Sequence, residues 1–306
     1  MELLAGILFT LTIASTPLVY AALGELVVER SGVLNLGVEG MMIIGAIGGF
    51  AVAYSSGSVA MGVFGGVVAG ATLALLFGAI TQIFLANQVV TGLALTIFGL
   101  GISALIGQAY TGQTLDTFPR LYLPVLSEVP ILGKVVFQQD ILVYGSIALT
   151  AAVWWTLTRT RLGLIIRAVG EDHEAAHALG FPVIPIRLAV LAFGGGCAGL
   201  GGAYLSLVQT PIWVEDMTAG RGWIALAIVV FAAWRPWRVL LGAYLFGGFT
   251  IIQLHAQAFG VNISPQYLSM IPYIVTILVL VAMSTDTARR HFRAPACLGK
   301  TFFTVR

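Results

Sequence analysis

A phosphate-cradling loop is the first chemistry that the residue types suggest. Ala294 to Thr301 reads APACLGKT, a match to a relaxed A/G-x-x-x-x-G-K-[ST] pattern. Such a loop works by aiming backbone amides at phosphates from the turn between a strand and a helix. Here a basic stretch precedes it and only residues 302–306 follow, so the flanking elements are missing and ATP binding by this segment is excluded. Gly194, Gly196 and Gly199 spell G-x-G-x-x-G, but they lie in a continuous apolar run without the βαβ unit that a dinucleotide needs. Helix packing accounts for them. No Ser-His-Asp set, HExxH or paired aspartates inside an apolar run occur, and Cys197 and Cys297 lack metal-ligand spacing. The sequence therefore assigns no catalytic residue, no cofactor and no metal. His255, in IIQLHAQAF, reads as a packing or pathway histidine rather than a ligand.

Two polar constellations remain. RAVGEDHEAAHALG, Arg167 to Gly180, gathers an arginine, three acids (Glu171, Asp172, Glu174) and two histidines between nearly uncharged flanks. Arg167 to Leu179 can form a short amphipathic helix, with Ala175, Ala178 and Leu179 on one face and Glu171 and Glu174 on another. Ala175 and Ala176 permit close approach by a partner, and Gly180 can end the helix in the left-handed conformation. Pro182 and Pro185 are expected to keep helix from resuming before the next span. The second constellation, Asn35 and Glu39, lies one helical turn apart at the start of an apolar run. Polar groups at that depth are costly unless they face a bundle interior. A role in a solute pathway and a structural hydrogen bond beside Gly32, Gly37 and Gly40 are equally open.

The elements that must position these groups are set by composition. Of 306 residues 58% are apolar and 9% charged, against roughly 25% charged in soluble chains. Such a chain cannot cover itself with polar surface, so its solvent is lipid. A net charge of +2 is too small to indicate a nucleic-acid partner. Apolar stretches of about 20 residues, the length that crosses a bilayer, begin near Leu3, Val33, Val59, Val89, Ile141, Leu188, Trp223, Val239 and Tyr267. The fold class is thus an all-α polytopic membrane protein with about nine spans (8–10). The span from Trp223 is short and expected to be tilted or broken. Basic residues collect on the cytoplasmic side. With the C-terminus inside, only Arg120, Lys134 and Arg221 of the 15 Lys and Arg fall outside, which places the N-terminus outside. Residues 1–306 then form one transmembrane domain, with a cytoplasmic loop at 159–187 and a basic tail at 285–306 expected to touch the membrane surface. Gly62, Gly66 and Gly70, like Gly194, Ala198 and Gly202, recur every four residues, as close helix packing in lipid requires.

EAAHALG, Glu174 to Gly180, resembles the E-A-A-x-x-x-G loop of ABC-importer permeases. The wider RAVGEDHEAAHALGFPV is similar to permeases for nucleosides and simple sugars in the branched-chain amino acid/ribose group, with Asp172-His173 where that pattern prefers Asn-Pro. GELVVERSGVLNLGVEGMMIIGA (Gly24 to Ala46) and DMTAGRGWIALAIVVFAAWRPWRVLLGAYLFG (Asp216 to Gly247) resemble the same group. The resemblance implies a permease subunit in the cytoplasmic membrane that does not itself hydrolyse ATP. Its partners would be a cytoplasmic ABC ATPase, a second permease subunit and an extracytoplasmic substrate-binding protein, besides membrane lipids. The solute implied is a nucleoside first, a simple sugar such as ribose or galactose second. Coupling to the ATPase would fall to Arg167, Gly170, Glu171, Glu174, Ala175, Ala176 and Gly180. Asn35, Glu39, Gln253 and His255 are the candidates for the pathway, with Asn87, Gln88 and Gln209 as further polar groups. The rival reading is an ion-coupled secondary transporter with Glu39 as its coupling acid.

Overall fold

A computed structural model of the chain describes residues 2–116, 118–119, 132–258 and 294–303, with isolated positions between 267 and 281. Its elements are helices: α1 (Glu2–Arg30), α2 (Val38–Ser56), α3 (Val59–Gly78), α4 (Gln88–Gly107), α5 (Leu132–Val136), α6 (Ile141–Arg159), α7 (Arg161–Glu171), α8 (His173–Ala178), α9 (Val183–Tyr204), α10 (Arg221–Phe231) and α11 (Pro236–Ala258). Single π-turns extend α3 to Ile83 and α9 to Gln209. Among the described residues the only extended pairing is an isolated bridge between Thr114 and Ile212.

Six helices (α1, α2, α3, α4, α6 and α9) are long and apolar enough to cross a membrane. Two further expected spans fall on the shorter apolar helices α10 and α11. The ninth, from Tyr267, lies almost wholly outside the described residues. The 11 residues of α10 rise about 16 Å, half of a hydrocarbon core of about 30 Å. The span expected from Trp223 is therefore a half-length helix that begins inside the bundle.

Helix α9 packs against α1, α2 and α3, while α1 also meets α10 and α11. Glycine makes these contacts close. A Cβ on Gly70 would stand 2.3 Å from Gly195 O, one on Gly66 would stand 2.5 Å from Ala203 Cβ, and one on Gly202 would stand 1.8 Å from Met42 O. In lipid, where apolar burial gives no drive between helices, such backbone approach is the attraction available. The G-x-G-x-x-G run lies inside α9 and serves this packing.

Three local departures from expectation matter for the site. The second span starts at Val38 rather than Val33. Gly32 takes φ +85°, and Asn35 Oδ1 accepts from Gly37 N at 3.0 Å, an Asx-type turn that unwinds the chain between α1 and α2. Helix α9 begins at once after Pro182, with Pro185 in its first turn. There the missing amide has no intrahelical partner to lose, so proline does not delay the helix. Residues 294–303 fold back on the end of the bundle. Cys297 N donates to Gly170 O at 2.9 Å and Gly299 N to Gly32 O at 3.0 Å. The phosphate-loop-like APACLGKT is thus a strap across the ends of α1 and α7.

Candidate coupling surface and its link to the spans

The polar island is two helices, not one from Arg167 to Leu179. Asp172 breaks the path with φ −149° and ψ 98°, and its Oδ1 accepts from Glu174 N at 3.0 Å and Ala175 N at 2.9 Å. It is the N-cap of α8, and the amides it satisfies would otherwise be orphans. At the other end Gly180 adopts φ +88°, and Phe181 N reaches back to Ala176 O at 3.1 Å. The left-handed glycine stop read from sequence is present.

Burial divides the island residues. Glu171, Glu174, Ala175, Ala178 and Leu179 are exposed, Leu179 at 78%. Ala176 is buried in a small core with Val169, Val183 and Phe302. Gly170 is buried at a backbone crossing, where a Cβ would stand 2.1 Å from Arg30 O. Arg167 is half-buried and its Nε donates to Gly163 O at 3.3 Å. The outward face of α8 is thus small and apolar, edged by Glu174. The tail supplies its floor: the Phe302 ring lies edge-on between His173 and His177, each centroid 5.3 Å away.

Behind α8 stands Arg187 on the first turns of α9, fully buried. Its Nε donates to Ser31 O (3.2 Å), its Nη1 to Gln82 Oε1 (3.1 Å) and Lys300 O (3.2 Å), and its Nη2 meets His173 Nδ1 (3.2 Å). One guanidinium therefore joins the end of α1, the π-turn after α3, the tail and α8. Its planar fork of five donors suits such convergence. Burial, and then the Arg187 charge, hold His173 below its ordinary pKa. Nothing in the sequence pattern pointed to Arg187 beyond its charge. The available signal was an isolated arginine within a turn of an apolar span.

From Ser31 the chain enters the unwound stretch, where Asn35 is buried outside any helix. Asn35 N and Nδ2 both donate to the Glu25 carboxylate at 3.3 Å. Leu34 N donates to Gln88 Oε1 at 2.8 Å, and Asn87 caps α4. Glu39, in the first turn of α2, is buried and reaches across to α10. Its Oε1 accepts from Thr218 Oγ1 (2.5 Å) and Gly220 N (2.9 Å), its Oε2 from Gly222 N (2.5 Å). Arg221, assigned to the outer side by the charge pattern, stands near enough to Glu39 for their opposite charges to interact. A neighbouring helix thus supplies the cap that α10 lacks of its own. The far end of α10 is tied to α1 through Trp234 Nε1 to Glu29 Oε2 (2.5 Å) and Arg30 Nη2 to Trp234 O (3.0 Å). Gln253 and His255 lie on α11 where only the backbone is described.

Residues 7–280 match the family of branched-chain amino acid transport system permease components. The chain belongs to this permease family. It is 38% identical over 324 residues to the "Putative glucose ABC transporter permease protein TsgC13" of Haloferax volcanii, covering 99% of this chain and 98% of that one. It is 34% identical over 297 residues to the guanosine ABC transporter permease protein NupQ of Bacillus subtilis, covering 91% and 92%. With the nucleoside ABC transporter permease protein NupC of Lactococcus lactis it shares 32% over 288 residues, covering 90% of each. This permease is accordingly a multi-pass subunit of an ABC transporter in the cytoplasmic membrane, a transport component whose ATPase activity resides in a partner.

Proposed function

We propose that this permease imports a nucleoside, with a simple sugar as the second reading, and that α8 is the helix on which the ATPase acts. The end of the bundle bearing Arg30, α7 and α8 faces the cytoplasm in this reading, and nine spans place the N-terminus outside. The observation that carries it is Arg187. It joins α8, through the buried His173 behind its exposed face, to Ser31, where the unwound stretch toward Asn35 and Glu39 begins. ATP-driven closure of the ATPase dimer pulls on Glu174 and Ala175. The pull passes through His173 and Arg187 to the α1–α2 passage, and through Glu39 to the start of α10. Gly170, Ala176 and Gly180 shape the helix that is pulled, while Arg167 and Glu171 flank it.

A nucleoside is favoured by the guanosine and nucleoside permeases among the relatives; the glucose relative favours the second reading. Both solutes present a hydroxylated ring. Among the described residues the buried side-chain atoms without a hydrogen-bond partner are Ser103 Oγ, Gln139 Oε1, Gln209 Oε1 and Trp213 Nε1. Gln209 and Trp213, at and just beyond the end of α9 opposite to Arg187, are the ones proposed to meet such a ring. Asn35, Gln253 and His255 complete the proposed pathway. Solute would be delivered by an extracytoplasmic binding protein, and a second permease subunit would complete the channel.

The test is uptake by the reconstituted complex in proteoliposomes. Labelled guanosine should accumulate only with ATP, and excess glucose should not compete. Glu174→Lys or Ala175→Arg should lose ATPase pull-down and uptake while the chain stays in the membrane. Full uptake and pull-down by both variants would remove α8 from the mechanism, and ATP-independent uptake by this chain alone would favour an ion-coupled carrier.

A further inference from the structure

Where the ends of α1, α6, α7 and α11 meet, a cavity of about 470 Å³ is lined by Arg30, Arg167, Arg235 and Arg238 together with Trp154 and Trp237. Of its lining only Arg167 enters the coupling reading, as a flank of α8. Arg167 and Arg235 both stand close enough to oppose the Arg30 charge, with Glu171 the acid that offsets it, and Arg238 lines the same space. The cavity also adjoins the N-terminus of the 23-residue helix α11, whose dipole favours negative charge. The space is therefore built for an anion.

Its surroundings say where that anion comes from. Arg30 and the nearby Arg159 end two candidate membrane spans, so the cavity lies at headgroup level. Trp154 and Trp237 pack with ring centroids 6.4 Å apart, and Trp155 beside them is 58% exposed, as expected of indoles at a bilayer interface. Helix α7 leaves Leu162 and Leu164 exposed at 66% and 61%, a surface suited to lying in an interface rather than in water. Leu157 of the cavity also lines an apolar groove of about 520 Å³ with Leu149, Val153, Ile166 and Phe193. Basic pockets between membrane helices bind anionic headgroups. We propose that this permease holds one anionic phospholipid at this end of the bundle, its phosphate among Arg30, Arg167, Arg235 and Arg238 and an acyl chain in the adjoining groove.

The ligand is shared with no step of the transport reading, so the two can fail separately. The full chain, extracted from bilayers of phosphatidylcholine mixed with phosphatidylglycerol, is analysed by native mass spectrometry for retained lipid. The wild type should keep phosphatidylglycerol in preference to phosphatidylcholine. Arg235→Gln with Arg238→Gln should lower that preference about tenfold. Arg159→Gln with Arg161→Gln, which removes the same charge outside the cavity, should leave it within about twofold. Arg235→Lys with Arg238→Lys keeps charge and should keep most of the preference, separating lipid binding from a folding defect. Equal retention of both lipids by the wild type, or by the two Gln pairs alike, overturns the site. So does displacement of the lipid by excess inorganic phosphate, which would make it a free-phosphate site. A double Gln variant that keeps its lipid but loses ATPase pull-down would make these arginines a protein interface instead.

Discussion

Nδ1 of His173 lies 3.2 Å from Nη2 of Arg187. Arginine can only donate, so Nδ1 accepts and the imidazole is neutral with its proton on Nε2. A cation at His173 would instead face the Arg187 charge.

The first prediction is a pH dependence. The folded pKa of His173 is depressed below the ordinary 6.5. Below 6.5 the unfolded chain binds the proton more readily than the folded one. The stabilisation is therefore complete above 6.5 and is lost as pH falls through the lower folded value. The protection factors of α8 amides, which remove the intrinsic pH dependence of exchange, should fall between pH 7 and the acid side of that window. In His173→Gln, whose side chain can still accept from Arg187, that fall should disappear.

Arg187→Met should be severe. It removes the donors that satisfy Ser31 O, Gln82 Oε1 and Lys300 O, at a cost of about 3 kcal/mol. Arg187→Lys offers a point charge without the fork and should recover less than half of the loss in a thermal melt. A melting temperature equal to wild type for Arg187→Met would contradict the central place given to this residue.

Glu39→Ala and Glu39→Gln should separate. Alanine leaves the Gly220 and Gly222 amides and the Thr218 hydroxyl without their acceptor, for about 3 kcal/mol. Glutamine keeps one oxygen, so its loss should be about half as large. Near-equal stability of the two variants by denaturant titration would show that the cap on α10 contributes little.

Two glycines make a steric control. Gly170→Ala places a methyl 2.1 Å from Arg30 O, whereas Gly101 in α4 has nothing within 4 Å of its Cβ position. The first substitution should destabilise by about 3 kcal/mol and loosen α7 from α1. Gly101→Ala should be neutral, or stabilising by up to about 1 kcal/mol. Thermal melts of the two proteins side by side decide the point.

What the sequence disclosed followed from composition and periodicity. The α-helical class, the starts of α3, α4 and α6, the half-length α10 and the glycine faces of α3 and α9 all leave local marks. The exposed Ala175 and the left-handed Gly180 were legible for the same reason. The break at Asp172 was not, because one side-chain oxygen capping two amides overrides an otherwise helical pattern. The start of α2 was misplaced because apolar Val33, Leu34 and Leu36 sit in a turn made by Gly32 and Asn35. Arg187 and Phe302 stayed hidden because their partners are distant in sequence: Arg187 meets Ser31 and Lys300, 156 and 113 residues away.

The strap at 294–303 imposes an order on the making of the protein. Lys300 and Phe302 leave the ribosome more than 120 residues after His173 and His177, yet they complete the surface under α8. A nascent chain can insert its earlier spans and still lack the finished contact for its motor. Truncation before residue 294 should therefore yield a membrane-inserted chain whose pairing with the ATPase fails, although every residue of α8 is intact. Quality control that waits for the motor to bind would then read, in one event, whether synthesis reached the strap.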